Sequence, residues 1–150
     1  MLGLGNPILG DDGVGWRVAE AVKEQLPPNA SVDVDCVSLG GIGLMERMIG
    51  CDRAIIVDAF ASDEPLGACM VLKLEDLPNY FAFHTTSVHD TSLQTAIELG
   101  RSMGAPLPRD ILLVGISTKP IRDFSEELSP PVAEAVPQAA RIVLGLILRN

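Results

Sequence analysis

Aromatic side chains make up 4% of the 150 residues, and the 11 Lys and Arg are outnumbered by 20 Asp and Glu. Both shortages bear on nucleic acid. Base stacking needs aromatic platforms and phosphate binding needs positive charge. A formal charge of −9 instead repels phosphate backbones and anionic lipid. A nucleic-acid partner is not expected. Cysteine is also scarce. Cys36, Cys51 and Cys69 are odd in number and form no Cys-x-x-Cys, which argues against a thiolate zinc cluster or a redox dithiol and for a reducing, cytoplasmic compartment. No run reaches the roughly 18 uncharged apolar residues of a membrane span, and no basic region precedes an apolar core at the start. Membrane insertion is not expected, and the sequence reads as a soluble cytoplasmic protein.

Several catalytic signatures are missing as well. No Gly-x-Ser-x-Gly elbow surrounds Ser38, Ser62 or Ser117. There is no His-Glu-x-x-His helix and no Lys-Ser or Lys-Thr to complete a P-loop. The three cysteines have no activating partner in the sequence, and free cysteine is usually a small buried residue.

What is present is a chain of one domain's length, residues 1–150, with 47% apolar and 21% charged residues, enough to bury a core. Met1–Leu4 reads as a short strand ending in Gly5-Asn6-Pro7. Val14, Val18, Ala21, Val22 and Leu26 form a helical stripe, stopped by Pro27-Pro28. Val32, Val34, Cys36 and Val37 alternate with Asp33 and Asp35, as on a half-exposed strand near a sheet edge. Gly40, Gly41 and Gly43 lead into a helix over about 44–49. The apolar run 54–57 predicts a central parallel strand ending at Asp58. A strand is expected over 67–74 and another over 111–116. A helix capped by Ser87 is expected over about 88–103, and a last helix starts at Ser129-Pro130, with Pro137 predicted to kink or interrupt it. Alternating strands and helices imply an α/β fold: a twisted, mostly parallel sheet with helices on both faces, three layers in all.

The glycines of Gly3-Leu4-Gly5 suggest half of a dinucleotide fingerprint. Ile8 stands where its third glycine belongs, Pro7 removes a backbone donor, and Asp11 and Asp12 would repel pyrophosphate. A tight strand-to-loop turn explains the glycines better. Asp12 lies in the loop after the first strand and Asp58 directly after the central run. In a parallel sheet both belong at the C-terminal ends of the strands, where ligands bind. Two carboxylates converging there need a cation, a shared proton or a substrate amine. Singly, each could be a helix cap or a surface charge, and Asp11 or Asp12 could favour the positive end of the helix beginning near Val14. His84 and His89 are the only histidines. Both precede the third helix. His89, at its expected start, is a candidate metal ligand or acid–base group, with packing or surface exposure as the plainer reading. His84 reads as a surface or wall residue.

Three stretches together carry a resemblance: Gly3-Leu4-Gly5-Asn6-Pro7-Ile8-Leu9-Gly10-Asp11-Asp12-Gly13-Val14-Gly15, Ile55-Ile56-Val57-Asp58-Ala59, and Ser87-Val88-His89. The sequence resembles the nickel-iron hydrogenase maturation endopeptidases over nearly its whole length. The resemblance implies an endopeptidase that removes a C-terminal extension from the nickel-loaded large-subunit precursor of a [NiFe] hydrogenase. It also implies that Asp12, Asp58 and His89 bind nickel, mainly the ion carried by the precursor, and that these three form the catalytic site. Asp12 stands where the family uses Glu or Asp. Gly41-Ile42-Gly43 departs from the family's commoner Gly-Thr-x-Gly. The opening Gly3-Leu4-Gly5-Asn6-Pro7 is also similar to bacterial peptidyl-tRNA hydrolases. Ile8 replaces their glycine, no histidine appears before His84, and the acidic charge does not suit tRNA. The alternative with the same three ligands is a non-catalytic nickel-sensing chaperone or assembly module for the same subunit.

Overall fold

The computed structural model describes residues 1–77, 91–120 and 124–148. Five strands form one sheet: β1 (Leu2–Leu4), β2 (Asp35–Val37), β3 (Arg53–Ala61), β4 (Cys69–Lys73) and β5 (Asp110–Thr118). Among the described residues, four α-helices accompany them: α1 (Val14–Gln25), α2 (Gly41–Glu46), α3 (Leu93–Ser102) and α4 (Pro130–Leu148). The sheet order is β2-β1-β3-β5-β4. β1, β2, β3 and β5 are parallel, and β4 runs antiparallel on the edge against β5.

The period of two along the central strands makes the three layers. Ala54 and Ile56 of β3, with Ile111 and Leu113 of β5, join Leu44 and Met45 of α2 and Leu93, Ala96 and Ile97 of α3 in one core. Ile55 and Val57, with Leu112, Val114 and Ile116, face the other way. They pack with Val14, Val18 and Val22 of α1 and Val132, Ala139, Ala140 and Val143 of α4. The central strands are thus buried on both faces, which is why their sequences read as unbroken apolar runs. The α/β three-layer expectation holds.

Several boundaries differ from the sequence reading. β3 continues past Asp58 to Ala61, because residues 58–61 keep pairing with Gly115–Thr118 of β5. β2 keeps only its last three residues as strand. It is the sheet edge, and β1 is the one strand it pairs with among the described residues. α2 begins and ends earlier than expected, at Gly41 and Glu46. α3 starts at Leu93, with Ser92 as its cap: the Ser92 hydroxyl accepts from the Thr95 amide at 3.2 Å. Ser87, the expected cap, lies outside the described residues, and the described Thr91 and Ser92 are not helical.

α4 runs through Pro137 without interruption. Pro137 and Ala133 are both exposed, so the carbonyl that loses its partner to the proline can turn to water. With 19 residues and a mean hydropathy of 1.4, α4 is long and apolar enough to cross a bilayer by length and composition alone. In this fold its small-residue stripe is instead spent on α1 and the sheet.

The first turn of α1 lies unusually close to the sheet. A Cβ built on Gly15 would overlap the carbonyl oxygens of Leu4 and Val57, and one on Gly3 would overlap the carbonyl of Gly15. The glycines of the opening motif therefore serve helix–sheet contact. Gly15→Ala is expected to cost about 3 kcal/mol in urea denaturation, at the high end for overpacking. Gly145→Ala in α4 meets nothing within 4 Å and should be neutral or stabilising by up to about 1 kcal/mol from helix propensity.

Candidate functional site

The sheet order has a reversal in it. From β1 the chain crosses by way of α1 to β2 on one side, while β3 lies on the other side of β1. α1 and α2 consequently cover opposite faces. In such sheets the loops leaving the two strands part at the reversal and open a crevice at the carboxyl ends of the strands, the usual ligand position. Asp12 and Asp58 flank this reversal.

Asp12 sits in a 3-10 turn, Gly10–Gly13, between β1 and α1. That turn packs against β3. The Asn6 amide donates to Asp12 Oδ2 at 2.6 Å, which fixes the side chain over the end of β1. Gly5 makes the approach possible. Its φ is +133°, and a Cβ there would overlap the Asp12 carbonyl. The neighbouring Asp11 points to other work. Its Oδ1 accepts from the Ser129 amide at 2.6 Å and its Oδ2 from the Ser129 hydroxyl at 2.8 Å. Asp11 thereby ties the first loop to the start of α4, a link that sequence inspection did not find because the partners are 118 residues apart. The same strap includes a parallel bridge between Leu9 and Ser125.

Asp58 is a strand residue rather than a residue after the strand. It pairs in register with Gly115 of β5 and faces the same side of the sheet as Ile56. The register Gly3↔Val57 puts it level with the end of β1. Only 1% of its surface is exposed. Taking a carboxylate out of water costs several kcal/mol unless hydrogen bonds, a proton or a cation offset the loss. A buried acid at a strand switch point is therefore a functional candidate on physical grounds.

His89 and His84 lie outside the described residues. The nearest described residue after His89 is Thr91. A Cβ on Gly41, which has a φ of +49°, would come within 2.5 Å of the Thr91 carbonyl oxygen. Gly41 opens α2 just beyond the carboxyl end of β2. The chain thus leaves the 78–90 segment at the same end of the sheet as Asp12. α3 begins at Leu93, later than the start near residue 88 that the sequence suggests.

Other nucleophiles fare poorly. Burial pushes the Cys36 thiol up from its ordinary pKa, with the Glu20 and Asp35 carboxylates adding to the rise. Burial alone does the same to Cys69. Neither is an activated thiolate. Cys51 is exposed at the amino end of β3, away from the crevice. Ser117 is fully buried, shares a 2.8 Å hydrogen bond with Ser62, and donates to the Glu64 carbonyl.

The two neighbouring aspartates should therefore separate by assay. Asp11→Ala leaves the Ser129 amide and hydroxyl without their acceptor and should lower stability by about 1–3 kcal/mol, read by thermal or urea unfolding. Asp12→Asn keeps the volume and an oxygen able to accept from Asn6, and should change stability by less than about 1 kcal/mol.

The comparisons with known proteins follow the same line. The hydrogenase maturation protease family model (HycI) matches residues 16–146. The hydrogenase 2 maturation protease of Escherichia coli K12 is 28% identical over 148 residues, covering 98% of this chain and 88% of its own length. The hydrogenase expression/formation protein HupD of Thiocapsa roseopersicina is 26% identical over 144 residues. That match takes in 96% of this chain, which spans 65% of HupD's length. The solved structure of the hydrogenase maturating endopeptidase HybD from E. coli aligns with a TM-score of 0.72 and 26% identity, over 97% of this chain and 89% of HybD. The match over residues 16–146, on a fold shared with HybD, shows that the chain belongs to the hydrogenase maturation protease family.

Proposed function

We propose that this protein is a cytoplasmic endopeptidase that cleaves one peptide bond near the C-terminus of a [NiFe] hydrogenase large-subunit precursor, after that precursor has received nickel. The observation that carries the proposal is the placement of Asp12 and the buried Asp58 on the two sides of the strand reversal, in a chain of this family. In this reading Asp12, Asp58 and His89 engage the nickel ion that the precursor brings. The donor set suits such a role: two carboxylates and one imidazole form a mixed and incomplete shell, which the precursor's own ligands would complete. The emergence of the chain at Thr91, beside Gly41, supports a place for His89 at this end. The three free cysteines suit a reducing cytoplasm.

Nickel held next to the scissile bond supplies Lewis-acid polarisation of a carbonyl or of water. The chain's own contribution is to hold and orient. Asn6 fixes one oxygen of Asp12, the Asp11–Ser129 tie holds the loop that carries it, and pairing along β3 and β5 sets Asp58. No covalent nucleophile is required, in keeping with the raised thiols of Cys36 and Cys69 and the buried Ser117. An empty precursor would offer no ion for the site to grasp, so cleavage would wait for metal loading.

The test mixes purified protein with precursor, with and without nickel, and reads intact mass. A single truncation confined to the loaded sample is expected. Tight binding of the loaded precursor with no mass change, under conditions where a known processing enzyme cleaves it, would favour the nickel-sensing chaperone. Equal cleavage of empty and loaded precursor would remove the nickel gate. Asp58→Asn should slow processing at least about a hundredfold while circular dichroism stays unchanged. His89→Ala should abolish processing, with His84→Ala milder; equal losses in two folded variants would remove that distinction.

A further inference from the structure

The strap beside Asp12 carries two exposed apolar side chains, Ile8 and Phe124. Leu9 and Ser125 bridge in parallel, with the Ser125 amide donating to the Ile8 carbonyl at 3.0 Å and the Gly10 amide to the Ser125 carbonyl at 2.6 Å. This register sets Ile8 and Phe124, the residues just before the bridge, side by side. Ile8 is 47% exposed and Phe124 is 82% exposed. A phenylalanine held this open on a hydrogen-bonded strap is a contact surface awaiting a partner. Its neighbours set the partner's charge. Glu126 and Glu127 follow on the same strap and are exposed. Arg17, the cation described nearby, is occupied by Glu20 and the Glu126 carbonyl.

We infer that Ile8 and Phe124 form a docking patch for the C-terminal segment of the precursor, accepting an apolar side chain next to a basic one. The inference rests on the proposed processing function. The patch is continuous with the site: Ile8 is in the loop that carries Asp12, and Phe124 is joined to that loop by the Leu9–Ser125 bridge. A segment reaching the switch-point crevice from the α1 and α4 side passes over this strap. Its apolar side chain would cover Phe124 and Ile8, and its cation would meet Glu126 and Glu127. On this account the pair acts on recognition and leaves the chemical step alone.

The experiment measures processing of nickel-loaded precursor by Phe124→Ser, by Glu126→Gln with Glu127→Gln, and by Met103→Ser as a control, since Met103 is 78% exposed on the turn after α3. Phe124→Ser is expected to raise KM about tenfold with kcat and Tm unchanged. The glutamine pair should flatten the rise of KM with salt, and Met103→Ser should match wild type. An unchanged KM in Phe124→Ser would overturn the inference. So would a concentration-dependent wild-type dimer lost in Phe124→Ser with KM unaltered, since the patch would then serve a second copy of this chain. If the wild-type protein fails to cleave loaded precursor at all, it is the processing function that falls. Calorimetric binding of the same precursor to wild type and Phe124→Ser then decides the patch separately: about tenfold weaker binding in the variant supports it, and equal binding overturns it.

Discussion

Everything at the candidate site depends on how closely the first turn of α1 is set against the sheet. Gly15 lets the helix backbone lie against the carbonyls of Leu4 and Val57. With the helix that close, the connection from β1 must turn back sharply, and the 3-10 turn from Gly10 to Gly13 is that connection. Asp12 then stands over the end of β1, beside the strand that carries Asp58. A side chain at position 15 would lift the helix away and carry the loop with it. The glycine-rich opening thus works by removing bulk so that two carboxylates can share one end of the sheet.

The adjacent Asp11 and Asp12 show how one turn divides its labour. Successive residues of a tight turn point in different directions. Asp11 reaches outward to Ser129 and spends both oxygens there, while Asp12 takes the Asn6 amide and stays by the crevice. A carboxylate with two short hydrogen bonds to one residue is a structural tie. The alternative that one of the pair merely favours the positive end of α1 does not describe Asp11, whose acceptors are taken by the start of α4.

The layers were legible in the sequence because burial on both faces leaves a plain mark: 54–57 and 111–116 are unbroken apolar runs, and α1 has a clean stripe. The ends of the strands are less legible. β2 was expected to be longer, since the alternation of Val32 and Val34 continues past the point where β1 stops offering partners. β3 was expected to stop at Asp58, since a charge normally ends an apolar run; its pairing with β5 holds the chain extended beyond it. Ser87, with Asp90 three residues on, resembles a capping box, yet Ser92 caps α3, since the cap is decided by where the helix packs. Pro137 misled because exposure, invisible in the sequence, decides whether a lost hydrogen bond matters. The shared end of Asp12 and Asp58 followed from strand polarity alone. The Asp11–Ser129 tie did not, as no local pattern announces a contact between distant residues.

That tie also governs when the site becomes organised. The loop bearing Asp12 is synthesised well ahead of Ser129, the partners of the tie being 118 residues apart. A contact between such distant positions cannot form until the whole intervening chain has been made, and it closes a long loop at an entropy cost. On the ribosome, the amino-terminal strands and helices can collapse while the Asp12 loop still lacks its clamp. A nascent or carboxyl-truncated chain would therefore hold a sheet without an ordered site. The loop that carries Asp12 is thus clamped only once the start of α4 is in place.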